Sequence, residues 1–165
     1  MGLDHNQFRD LILVPTLKAL EPEVKYSDKA DIITDETIWH ESAGLTCIAQ
    51  KLNAGSYGAG RGIGMTERPT YNWLWGRYAK ILIEKEIAIK GTFEELHGNW
   101  ELAVAMCRLR YFVRPEPLPA ISEGVEARAA YWGRFYQTSN DPKKIALYIQ
   151  HARSIPHIGP TGVVV

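Results

Sequence analysis

The chain has 165 residues, 45% of them hydrophobic and 23% charged, with 19 basic against 19 acidic side chains. That length buries one core without disulfides or a structural metal, and the neutral balance lacks the basic footprint of a nucleic-acid or anionic-membrane binder. Spanning a bilayer takes roughly 20 apolar residues in a row. The longest candidate, residues 11–14, is cut by Pro15. These figures predict one domain over residues 1–155 and a surface tail over 156–165, with no repeat or low-complexity linker.

In chain order, residues 4–20 form an amphipathic stretch carrying Phe8, Leu11 and Ile12 and punctuated by Pro15. A second helix starts at Ser27, a good N-cap, has Asp28 and Asp31 in its first turn, and reaches Glu41 before Gly44 stops it. Ala30, Ile33, Thr34, Thr37, Ile38 and Glu41 recur at three- and four-residue steps and share its inward face. Asp31, Asp35 and Glu36 then fall on the solvated flank. An unpaired charge on a buried face costs several kcal/mol in general, so an inward Glu41 either finds an arginine or backbone amides or takes up a proton. In the second case it titrates near neutral pH, as a general acid requires. His40 lies about 100° further round the helix, where a partly exposed ring is expected.

Residues 53–64 read Asn53-Ala54-Gly55-Ser56-Tyr57-Gly58-Ala59-Gly60-Arg61-Gly62-Ile63-Gly64, with five glycines between Gly55 and Gly64. Such a segment is an irregular loop or a tight hairpin, placed over residues 46–66, and either a cleft wall beside the acid or a plain surface turn. It matches neither a P-loop nor a dinucleotide fingerprint. Pro69 suits the start of a helix to about residue 87, with Trp73, Tyr78 and Ile81 spaced for a core. Thr92-Phe93-Glu94-Glu95 has the capping-box pattern, and Asn99 precedes a helix over 100–113 that Pro115 ends. Ser122 and Asp141-Pro142 open two more helices, to about residues 137 and 153.

Cys47 and Cys107 are the only cysteines, and two buried free thiols are expected. His5, His40, His97, His151 and His157 show no HExxH or Cys-paired spacing, so neither metal nor cofactor is expected. Of the five tryptophans and eight tyrosines, Tyr57, Tyr71 and Tyr131 are candidates for stacking on a bound ligand, whereas Trp73, Trp75, Trp100 and Trp132 suit a core. Arg108 and Tyr111, on one helix face, either brace Glu41 or touch a ligand, or form an ordinary packing pair.

The order of these segments resembles the lysozyme-like superfamily, in particular lytic transglycosylases and the muramidase domains of bacteriophage tails and virions. The resemblance rests on Glu41-Ser42 at a helix end and the Gly-rich segment, followed by Gly62-Ile63-Gly64-Met65-Thr66-Glu67-Arg68-Pro69-Thr70. Further on, residues 103–111 with Pro115-Glu116-Pro117-Leu118-Pro119 resemble a helix and proline-rich turn of the phage subgroup. Residues 130–138 resemble its Tyr-Trp-x-x-x-Tyr-x-Thr segment, and the likeness covers about residues 8–140. It implies a mainly α, lysozyme-like α+β fold with a small β-hairpin near the active-site cleft. It also implies Glu41 as the catalytic acid and a sugar cleft drawing on Ser42, Gly62, Ile63, Met65 and Thr66.

Two departures stand out: Met65 where the family often has Gln, which removes an amide donor and acceptor, and Arg68 where Pro often follows the acidic residue. Glu67 is the second carboxylate. If it faces Glu41, water attack and hydrolysis follow; if not, Glu41 acts alone and an anhydro ring closes, the transglycosylase outcome. The implied partners are peptidoglycan glycan strands and, for a virion-borne domain, other virion or tail proteins, with no nucleic acid and no membrane. The N-terminus lacks a basic region, apolar stretch and cleavage site, so delivery to the cell wall by a phage particle or a holin is the corresponding expectation. A lysozyme-like module that serves a virion structurally, without turnover, is the other reading.

Overall fold

The computed structural model describes residues 4–52 and 55–156. The chain is mainly helical, with a small two-stranded antiparallel sheet. Asn53, Ala54 and most of the expected tail lie outside the described residues.

The N-terminal stretch is α1 (His5–Phe8), a π-helical turn (Arg9–Leu13) and α2 (Val14–Ala19) in continuous succession. Pro15 explains the wide turn, because a proline ring clashes with the carbonyl four residues before it and a π-bulge relieves that clash. Helix α3 (Asp28–Glu41) begins as expected, with the Ser27 hydroxyl accepting from the Ala30 amide.

Helix α3 is the centre of the molecule. Every residue from Ala30 to Ile38 is buried. It packs against α5 (Trp100–Phe112), α7 (Pro142–Arg153) and the π-helical turn. The expectation that Asp31, Asp35 and Glu36 are solvated is therefore corrected. Arg9 pairs with Asp31 at 2.9 Å and with Asp35 at 2.5 Å, and the His5 ring meets Asp35 at 3.0 Å. Arg128 donates side-on to Glu36, Nε at 2.8 Å and Nη2 at 2.7 Å, and the Tyr148 hydroxyl donates to the same carboxylate. Spacing along one helix identifies one inward face; it does not reveal that neighbours cover the others as well.

After α3 the chain forms the hairpin β1 (Ala49–Lys51) and β2 (Tyr57–Arg61), pairing Ala49 with Arg61 and Lys51 with Tyr57 around an irregularity. Gly62 closes it. Its φ is +70°, and a Cβ there lies 2.9 Å from the Leu96 carbonyl oxygen, so only glycine fits.

Helix α4 (Arg68–Glu84) buries Tyr71, Leu74, Ile81 and Leu82. Trp73, expected in the core, is 43% exposed, because the inward stripe runs through 71, 74 and 81 instead, and Arg77 lies over its ring. The Thr92 capping box does not form: Thr92 makes no side-chain cap, and Glu95 reaches back to the amides of Ile89, Lys90 and Gly91. Asn99 caps α5 through the Leu102 amide, and Asp141 caps α7 through the Lys143 amide. Between those two helices lies α6 (Gly124–Phe135), preceded by a single 3-10 turn. Cys107 is buried and Cys47 only half-buried; both are free thiols.

Candidate active site

At its C-terminal end α3 delivers Glu41 to the wall of an open groove of about 480 Å³. Four other parts of the chain meet there: Cys47 and residues 49–51 at the hairpin, Met65 and Glu67 of the connection to α4, Arg110 of α5, and residues 136–138 after α6. Glu41 is half-buried. The carboxyl touches the groove while surrounding protein excludes most water, and this desolvation raises its pKa to about 7, against a smaller lowering by the Trp132 hydrogen bond, Arg110 and Lys144. Among the described residues Glu41 forms no salt bridge, and its side-chain hydrogen bond is the one from Trp132 Nε1 to Oε1, at 3.1 Å.

That hydrogen bond fixes where the acid proton resides. An indole N–H can only donate, so Oε1 is an acceptor in both charge states and the proton of the neutral form sits on Oε2. Trp132 is buried, with the His40 ring edge-on at 4.8 Å, so the donor is rigidly held. His40 is enclosed further by Tyr148 and by His151, whose Nδ1 is 3.0 Å from its own. Burial, then the His151 charge, lowers the His40 pKa to about 4, leaving it neutral when Glu41 titrates.

Arg110 and Lys51 are the basic groups of the groove. The Arg110 guanidinium lies 4.3 Å over the Tyr136 ring and donates to the Tyr136 carbonyl, which holds it beside the groove without closing on Glu41. The Tyr136 hydroxyl donates to the Gly64 carbonyl, tying the α6 end to the Gly-rich segment. Glu67 is exposed on the groove wall and makes no side-chain cap on α4. Among the described residues five non-glycine residues have positive φ, and three of them, Ala43 at +52°, Met65 at +47° and Thr138 at +55°, line this groove. Each such backbone costs about 1–2 kcal/mol, a strain that concentrates at functional sites.

Of the residues singled out from sequence, Glu41, Glu67 and Met65 line the groove. Ser42 is buried and structural: its hydroxyl donates to the Ile38 carbonyl and accepts from the Leu45 amide. Gly62, Ile63 and Thr66 are buried and do not line the groove. Tyr71 is packed between Trp75 and Phe93. Arg108 points away, to the Lys25 carbonyl, and the Tyr111 hydroxyl meets Thr37 at 2.6 Å, so neither braces Glu41. Tyr131 is likewise inward, donating to the Glu116 carbonyl.

Tyr57, 68% exposed, lines a second groove of about 440 Å³ on the hairpin, contiguous with the first through Cys47, Ala49 and Lys51. The residues not anticipated are Arg110, Tyr136, Gln137, Thr138 and the β1 residues. The signal for the α6 group was the Tyr-Trp-x-x-x-Tyr-x-Thr segment itself, whose Trp132, Tyr136 and Thr138 all bear on the site.

Among the described residues no cluster of three or more His, Cys, Asp or Glu could hold a metal ion, and no helix is long and apolar enough to cross a membrane. No protein family's sequence pattern matches the chain, and no match was found among curated proteins or solved structures.

Proposed function

We propose that the chain is a peptidoglycan glycosidase of lysozyme-like fold, cleaving the β-1,4 bond between N-acetylmuramic acid and N-acetylglucosamine. The observation that carries this reading is a carboxyl held at about 7 by burial, without a salt bridge among the described residues, on the wall of an open groove of about 480 Å³. A general acid works best when its pKa lies near the working pH.

Glu41 Oε2 gives its proton to the bridging oxygen, and the glycosidic C–O bond breaks with its electron pair going to that oxygen. The remaining sugar carries oxocarbenium character. Glu67, exposed on the same groove, stabilises that charge and takes the proton of the attacking water, which makes hydrolysis the favoured outcome. Arg110 and Lys51 contribute positive charge toward the anionic groups of the polymer. Delivery by a phage particle and association with virion or tail proteins belong to the same proposal and follow from the segment order described above.

A turbidity assay on purified cell walls tests it. Wild type clears the suspension and Glu41→Gln does not; equal clearing by both, or none by either, rejects Glu41 as the acid. Mass spectrometry of released muropeptides shows reducing ends for hydrolysis and anhydro ends for intramolecular closure, the latter rejecting the role given to Glu67.

A further inference from the structure

The second groove differs from the first in charge. Glu41 and Glu67 in the first are matched there by Lys51 and Arg110, whereas Lys51, Arg61 and His97 line the second with no carboxylate among its lining residues. The second groove is therefore basic in a chain whose 19 basic and 19 acidic residues balance. Ile48, at 43% exposure, and Tyr57, at 68%, add apolar surface. Strand β1 is the ridge between the grooves, and Lys51 faces both.

Arg61 is prepared for a carboxylate. Its Nη1 donates to the carbonyls of Gly58 and Gly60, which fixes the guanidinium against β2. Among the described residues the Nε–Nη2 edge has no partner. That edge offers two parallel N–H donors at the spacing of a carboxylate, and Arg128 uses the same edge on Glu36 inside this molecule.

We propose that this hairpin groove binds the carboxylate-bearing peptide stems of peptidoglycan, with Arg61 and Lys51 as the carboxylate receptors and Tyr57 and Ile48 as the apolar floor. The assignment rests on the peptidoglycan reading above. A stem branches from the muramic acid beside the scissile bond, so a glycan lying in the first groove projects its peptide across the rim of that groove, and β1 carries the contiguous one. The groove volume of about 440 Å³ suits a short peptide. Its role is selection of peptide-bearing glycan over bare polymer such as chitin.

The test uses the full chain with Glu41→Gln, which prevents turnover, and calorimetric titration with three ligands: a bare muramic acid–glucosamine tetrasaccharide, the same glycan carrying an acidic tripeptide, and the free tripeptide. The stem is expected to tighten binding about tenfold, the worth of one charge-assisted pair. Amidating the stem carboxyls, or adding Arg61→Gln or Lys51→Gln, is expected to bring the advantage below about twofold. Lys51 is exposed and, among the described residues, its side chain forms no hydrogen bond or ion pair, so its variant reports even if the change at Arg61 loosens the hairpin. Equal binding with and without the stem, an advantage that survives both variants, or displacement of the tripeptide by inorganic phosphate at the same concentration overturns the assignment while leaving the glycosidase reading intact. Tripeptide binding that depends on Lys51 and Arg61, with no glycan binding, rejects the glycosidase reading and keeps the peptide groove. Binding of none of the three rejects both.

Discussion

The chemistry concentrates on one carboxyl and one indole. The Glu41 pKa is raised from 4.5 to about 7, so the group favours the fold fully below pH 4.5, and that contribution is lost as pH rises toward and through 7. A shift of that size corresponds to about 3 kcal/mol. Glu41→Gln is therefore expected to match wild type in chemical denaturation at pH 4 and to exceed it by about 1–3 kcal/mol at pH 8, where the wild-type carboxylate is charged and desolvated. Equal stability of the two at both pH values means Glu41 is hydrated and not poised as an acid. In the active enzyme, kcat/KM is expected to fall about tenfold per pH unit above 7, as the proton leaves Oε2. Trp132→Phe removes the donor that favours the charged form, so the falling limb is expected to move to higher pH, at a cost of about 2 kcal/mol in stability from the smaller buried ring. An unmoved limb means that the indole does not govern the acid.

Helix α3 behaves as an interior element with charged residues, and its stability depends on pairing. Burial pushes the Glu36 pKa up, and Arg128 opposes it. Arg128→Met leaves that carboxylate desolvated without its cation and is expected to cost about 3–5 kcal/mol by urea denaturation, with much of it recovered when Glu36→Met is added. Additive losses in the double variant show that the pair is not coupled. The α3–α7 contact carries the opposite pH dependence. The His40 pKa is lowered from 6.5 to about 4, so its contribution is present above 6.5 and lost as pH falls through that window. The groups around it are His151 and Tyr148 from α7 and Trp132 from α6. His40→Phe keeps a ring there and is expected to lose less stability than wild type between pH 6.5 and 4; an identical acid limb assigns the effect elsewhere.

At the scale of the whole molecule, a dense helical body carries a lightly supported hairpin, and the groove lies where they meet. The hairpin rests on the Leu96 region through Gly62, with short strands and exposed Tyr57 and Leu52. Backbone amides of α3 and α5 are therefore expected to exchange with solvent only through global unfolding, and those of β1 and β2 orders of magnitude faster, in hydrogen-exchange mass spectrometry. Uniform protection across hairpin and helices indicates a stiffer cleft than this architecture provides.

Local chemistry written along the chain was legible from sequence. The helix starts at Ser27, Asn99 and Asp141, the hairpin between residues 46 and 66, and Glu41 at the end of an inward stripe all depend on neighbours within a turn or a strand pair. Whatever depended on a partner far along the chain was not. Asp35 and Glu36 read as solvated because the cations that cover them, Arg9 and Arg128, come from segments 26 and 92 residues away. Arg108 and Arg110 are near neighbours on one helix, and only the docking of α6 decides which of them meets the groove. Periodicity determines which residues share a face, because that is a property of the helix itself; how many faces are covered, and which carboxyl is left dry and unpaired, is a property of what packs against it.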